Sequence, residues 1–169
     1  MFEEVLGIPA HPLILHAAVV FIPLQVLFAI GYAFVPWVRR HAAWTVAALV
    51  VVAPGAALFA KLSGDAFRAR LVRNHTASPQ GLINIDNHRS YGTMTVYWTT
   101  GLAVLMLIML LAQRVAVRGT AQANLIIQPN GSVVLGAVLS IVVLAVAVAT
   151  GYYVFKTGDT GAHIVYNGL

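Results

Sequence analysis

The chain contains no cysteine. That removes disulfides, thiolate metal sites, cysteine-ligated iron–sulfur clusters, covalently attached haem and thiol nucleophiles in one step. Charge is almost as scarce. Asp, Glu, Lys and Arg make up 9% of the residues, against about 25% in an ordinary soluble domain. Also missing are a Gly-rich phosphate loop, a Ser-His-Asp order and any pair of carboxylates within one hydrophobic run. Hydrolase and nucleotide-binding functions therefore lack support, and no catalytic activity of its own is expected. Ten basic residues exceed five acidic ones, but no basic stripe is interleaved with aromatics, so nucleic acid is not an expected partner.

What remains is hydrophobic: 60% of the residues, with a mean hydropathy of +0.85. Four runs, near residues 13–36, 43–62, 93–113 and 132–155, approach or exceed the length of about 20 residues that a bilayer crossing needs. None contains Asp, Glu or Arg, and Lys61 sits at the end of the second. In lipid, only helices or closed barrels satisfy the backbone, and these runs are too long and uniform for barrel strands. The expected fold is a single all-α domain, a four-transmembrane-helix bundle. Its connections are the tight turn "WVRRHAA", a polar stretch over 63–92, and "QRVAVRGTAQANLIIQPNGS".

Arg39, Arg40, Arg114 and Arg118 fall on one side; Lys61, Arg68, Arg70, Arg73, Arg89 and Lys156 fall on the other. The raw count favours the second side as cytoplasmic. The compact, purely basic first turn and the acidic start "MFEEV" favour the first, with both termini outside. The same acidic start does not read as a cleavable signal.

The two hairpins echo each other. The first opens near His16 and leaves through "FAKLSGDAF"; the second opens near His88 and leaves through "VFKTGDTGAH". Either a duplication related by an axis along the membrane normal or shared helix-end chemistry accounts for this. If the topology holds, His11, His16, His88, His163, Asp65 and Asp159 share one membrane face.

His16 and His88 are the leading ligand candidates. Both stand near the start of parallel-running spans, and two histidines from different helices can ligate a haem iron axially. The alternative for His16 is a headgroup-zone imidazole bonded to water or a carbonyl. The alternative for His88 is interhelix hydrogen bonding within the stripe His88, Tyr91, Thr95 and Thr99. His11 reads as a wet cap residue before Pro12, five places and therefore a different helix face from His16. Asp159 could orient His163 if the tail is helical, although its glycines suggest a turn. A non-haem metal held by His16, His88, His163 and a carboxylate is a further reading. His41 and His75 are set aside. Gln25 is placed to bond across helices, and Gly136, Ser140, Ala147 and Gly151 offer small contact points.

"IPAHPLILHAAVVFIPL" resembles the opening of a bacterial family of predicted four-helix membrane proteins, domain of unknown function 2231, in which the first span begins His-Pro-x-x-x-His and later contains Pro. His88 matches the opening His of that family's third span. "TGDTGAHIVYNGL" resembles its Gly-rich close, with the final glycine of Val165-Tyr166-Asn167-Gly168 one place early. Members are fused to Rieske or cytochrome c domains, which implies a link to electron transfer, an outside C-terminus and a bacterial inner-membrane location. The expected function is an electron-transfer membrane protein with haem b between His16 and His88 and an outer-side redox partner. Alternatives are a cofactor-free subunit of a larger membrane complex and a metal or proton transporter.

Overall fold

The computed structural model describes the backbone of residues 4–5, 8–122 and 130–167, and the side chains of 11–113 and 134–166. A minimal antiparallel pair, β1 (Glu4–Val5) and β2 (Ile8–Pro9), precedes the helices. These are α1 (Ala10–Phe34), α2 (Pro36–His41), α3 (Ala43–Arg73), α4 (Pro79–Gln122) and α5 (Asn130–Asn167). Four are long and apolar enough to cross a membrane, over His11–Phe34, Ala43–Arg73, Pro79–Gln113 and Val134–Tyr166. Residues such as Leu27, Val51, Ile141, Val148 and Phe155 point outward, as a bilayer solvent requires. The protein is a multi-pass membrane bundle.

The helices outrun the hydrophobic runs. The polar stretch 63–92 is almost wholly helical, with only residues 74–78 between α3 and α4. At 1.5 Å per residue, the 31 residues of α3 span about 46 Å, well beyond a hydrocarbon core of about 30 Å. The extension stays helical because its charges meet across the hairpin. Nε and Nη2 of the Arg68 guanidinium donate to the two carboxylate oxygens of Asp86, at 2.6 and 2.7 Å. Arg89 donates to Asp65 at 2.8 Å, and Lys61 joins Asp65 at 2.8 Å.

The turn itself is a Schellman motif. The Thr76 N–H reaches back to the Leu71 carbonyl and the His75 N–H to that of Val72, which places His75 at φ 52°, where glycine is usual. Ser78 then caps α4, its hydroxyl accepting from the Gly81 N–H at 3.0 Å, with Pro79 at the first helical position. The tail is helical too, despite its glycines, through Asn167. At the opposite end Arg39 caps α1, donating to the carbonyls of Tyr32 and Ala33. Residues 123–129 of the third connection, and the side chains of Arg114 and Arg118, lie outside the described residues.

The four spans form a ring in the order α1, α3, α4, α5, so α1 faces α4 and α3 faces α5 across the centre. The ring is internally repeated. The buried positions of α1 are Ala18, Ile22, Gln25, Ala29, Tyr32 and Ala33; those 77 places later are Thr95, Thr99, Leu102, Met106, Met109 and Leu110, and all are buried. Val46 and Ala53 of α3 match Val143 and Thr150 of α5, 97 places on, again all buried. The α1 and α4 spans thus have the same burial register, α3 and α5 share it at these two positions, and the two hairpins run the same way.

Two clusters fill the interior. One, at the Arg39 end, contains Ala29, Tyr32, Val46, Leu102, Met106, Val143 and Ala147. The other, toward the opposite end, contains Ala18, Ile22, Ala53, Ala57 and Ala60. The expected small-residue stripe of the fourth span is not one contact surface. Ala147 is buried, but a Cβ at Gly136 or Gly151 would meet nothing within 4 Å.

Candidate functional site: a pair of matched histidines

The repeat brings two imidazoles together at the end of the bundle where α1 begins. They are His11 and His88, 77 places apart and half-buried, on helices that face each other across the centre of the ring. His11 Nδ1 lies 3.0 Å from Ser63 Oγ on α3, and His88 Nδ1 lies 3.1 Å from Thr160 Oγ1 on α5. Gly64 backs the first ring and Gly161 the second. Ala60, Ser63 and Gly64 become Thr157, Thr160 and Gly161 by the same shift of 97. The two cradles are equivalent parts.

The hydroxyls have partners of their own on α3 and α5. A Ser or Thr hydroxyl has a single proton. Ser63 Oγ lies 2.9 Å from the Ala60 carbonyl, to which it can donate; Thr160 Oγ1 lies 2.8 Å from the Lys156 carbonyl and 3.2 Å from that of Thr157. With that proton so used, each oxygen is free to accept from Nδ1–H, the tautomer in which a neutral imidazole has its lone pair on Nε2. This is the arrangement by which a protein orients a metal-ligating histidine. His11 also stacks on Phe67, with ring centroids 6.3 Å apart.

The expected pairing of His16 with His88 is not what the fold forms. His16 is exposed, its Nδ1–H donating to the Pro12 carbonyl of its own helix at 2.8 Å. The five-residue offset does put the two histidines of α1 on different faces, and it is His11 that faces inward. The expected echo also shifts. It aligned the Gly-Asp pairs 64–65 and 158–159, whereas the counterpart of Gly64 is Gly161, and Gly158 is open.

His163 is on a helix and its Nε2 lies 3.6 Å from Asp159, but the side chain is exposed and not gathered with the pair. Asp159 also pairs with Lys156 at 3.4 Å. Tyr91 is half-buried and contributes its carbonyl to the Thr95 hydroxyl. Among the described residues no three His, Asp or Glu side chains converge as a metal site, so the four-ligand non-haem centre is not assembled. His41 lies at the other end, donating to the Trp37 carbonyl and stacked on that ring. Sequence reasoning missed Ser63, Gly64, Thr160 and Gly161. The signal was present as hydroxyl–glycine pairs 97 places apart, matched to histidines 77 apart.

Comparison with curated proteins and with solved structures returned no match. The profile of the predicted membrane proteins DUF2231 matches residues 7–168. With nearly its whole length covered and the opening His-Pro-x-x-x-His and His88 in place, the chain belongs to the DUF2231 family of predicted membrane proteins.

Proposed function

We propose that the protein is a membrane electron-transfer subunit that holds one b-type haem between His11 and His88. The observation that carries this reading is a pair of half-buried imidazoles at one end of the bundle, on diagonally opposed helices, each with Nδ1 at hydrogen-bonding distance from a hydroxyl of the neighbouring helix. Haem iron takes two axial imidazoles from separate helices, and the donor set fits it: two Nε2 lone pairs from diagonally opposed helices. A haem bound there would supply one-electron redox chemistry. The chain's part is to hold the rings. Ser63 and Thr160 set the tautomers, and Gly64 and Gly161 let the rings pack flush against α3 and α5.

In this reading the histidine end lies on the outer side of a bacterial inner membrane, where an electron-transfer partner or larger complex would meet it. Four of that end's six Lys and Arg residues, Lys61, Arg68, Arg89 and Lys156, are held in ion pairs with Asp65, Asp86 and Asp159. The Arg39, Arg40, Arg114 and Arg118 side has no carboxylate nearby in the sequence, which supports that side as cytoplasmic.

One observation favours a second reading, a cofactor-free structural subunit: each imidazole already makes an interhelix hydrogen bond and packs on a glycine, as a simple pin between helices would. A reduced-minus-oxidised absorption spectrum of gently purified protein, with haem quantified as the pyridine complex, separates the two. Near-stoichiometric haem is expected, lost in His11→Ala and His88→Ala but kept in His16→Ala, His41→Ala and His75→Ala. Folded protein made with haem supplied, yet carrying none, would leave the structural reading.

A further inference from the structure

The two hairpins share a burial register but not a chemistry. In the first, the seam between α1 and α3 is lined by Ala18, Ile22, Ala53 and Ala60. The same positions of the second, between α4 and α5, are Thr95, Thr99, Thr150 and Thr157. Four apolar side chains have become four hydroxyls. Thr95 and Thr157 meet across this seam at 2.8 Å. Above them Thr160 and His88 carry the polar line to the end of the bundle.

At its deep end the line stops on two atoms that have no partner. Gln25 and Thr99 are both 0% exposed, and Gln25 Nε2 donates to the Thr99 carbonyl at 3.3 Å across the centre of the ring. Gln25 Oε1 and Thr99 Oγ1 are the unpartnered buried side-chain atoms among the described residues. The other buried Ser and Thr hydroxyls among the described residues donate to carbonyls of their own helix: Ser63 to Ala60, Thr95 to Tyr91 and Thr150 to Val146. Thr99 does not. Buried polar atoms are almost always satisfied, and exceptions point to water, an ion or function. Thr99 is eleven residues from His88, about 16 Å down α4, which is mid-bilayer depth.

We propose that the hydroxyl seam is the wall of a water-accessible half-channel that opens at the histidine end and stops at a water site formed by Gln25 Oε1 and Thr99 Oγ1. The donor set selects water. A cation would find two neutral oxygens and no carboxylate, and an anion would find no positive charge. A water can donate to the amide oxygen and exchange a bond with the hydroxyl, with room in its valence for a second water up the seam. Beyond the site the axis is sealed by Ala29, Leu102, Met106 and Val143. The inference rests on Gln25 and the threonines, and is independent of any haem.

The native lack of cysteine makes the test direct. Single variants Thr99→Cys and Thr95→Cys are compared with Ile22→Cys, which occupies the position of Thr99 in the other hairpin with the same burial. Proteoliposomes are treated with a small, charged, membrane-impermeant methanethiosulfonate, which needs hydrated thiolate to react. Thr76→Cys reports the histidine side and His41→Cys the other. Thermal melting in detergent confirms that each variant is assembled, and Thr95→Cys carries the test if Thr99→Cys is not. The expected result is modification of Thr99→Cys from the histidine side at least tenfold faster than Ile22→Cys. Equal rates at the two positions, fast or slow, overturn the proposal, as does modification from the His41 side.

Discussion

Adding one methyl group at Gly64 or Gly161 tests the cradle directly. A Cβ on Gly64 would lie 3.0 Å from His11 Cε1, and one on Gly161 would lie 3.1 Å from His88 Cε1. Carbon atoms in ordinary contact sit about 3.5–4.0 Å apart, so each ring must retreat by roughly half an ångström. The retreat stretches Nδ1 bonds that are already 3.0 and 3.1 Å long. Overpacking of this kind costs about 1–3 kcal/mol, against a gain of about 1 kcal/mol for Gly→Ala within a helix. The net expectation for Gly64→Ala and Gly161→Ala is a loss of up to about 2 kcal/mol by these two terms. Gly55, Gly101 and Gly158 are internal controls. They are helical, and a Cβ there meets nothing within 4 Å, so alanine gains up to about 1 kcal/mol with no opposing term. Thermal or denaturant unfolding of all five variants in one detergent, followed by tryptophan fluorescence, gives the comparison. If Gly64→Ala and Gly161→Ala stabilise as much as the three controls, the rings do not lean on these glycines and the matched cradles are wrong.

Other outcomes follow from single contacts. His75 holds a left-handed backbone in the α3 cap, so His75→Gly should raise stability by about 1 kcal/mol in the same unfolding assay, whereas His75→Val should lower it. Tyr32 donates its hydroxyl proton to Gln113 Oε1 at 2.6 Å; Tyr32→Phe leaves that acceptor unpaired and should cost about 1–2 kcal/mol, largely removed by adding Gln113→Leu. Arg68 and Asp86 form an exposed bidentate pair, so a double-mutant cycle should give a coupling that shrinks as salt rises toward about 1 M. A coupling insensitive to salt would mean that the pair is shielded from water.

The four spans were legible because length and hydropathy suffice to identify a crossing. Their ends were not, because a hydropathy reading stops where apolar residues stop. A helix goes on wherever its polar side chains find partners, and the partners of Arg68 and Arg89 lie on another helix. His75 was equally hidden: a left-handed cap residue is announced by glycine, and histidine announces nothing. The stripe from His88 through Thr95 and Thr99 could be read from spacing alone, since it lies within one helix. For α1 the spacing separated His11 from His16 but could not say which faced the core. The cap position of His11 argued for solvent, and that argument fails because α3 continues past Ser63 to Arg73 and lays Phe67 against the ring. The roles of Gly64 and Gly161 depend on the separation of two helices, which no single-helix pattern encodes.

A repeated frame with one altered seam has a mechanical consequence. Features on the pseudo-twofold axis come in matched pairs, and the histidines obey this: same depth, same hydroxyl partner, same glycine backing. A ligand on the axis meets two equal donors, which suits a symmetric guest such as a porphyrin iron and does not suit a chelate of three or four unlike groups. Features that break the match cannot come from the frame itself. Gln25 stands where the repeat has Leu102, and Thr99 stands where it has Ile22. Two polar substitutions, one in each hairpin, meet at the centre of the bundle, and beyond them stand Ala29, Leu102, Met106 and Val143. Satisfying the frame required neither of them, since the first hairpin packs Ala and Ile in the same register. The polarity therefore has a direction along the membrane normal, from the histidine end inward, and it stops before Met106. In the proposed half-channel, water admitted at the histidine face reaches Gln25 and Thr99 and meets Ala29, Leu102, Met106 and Val143 beyond them.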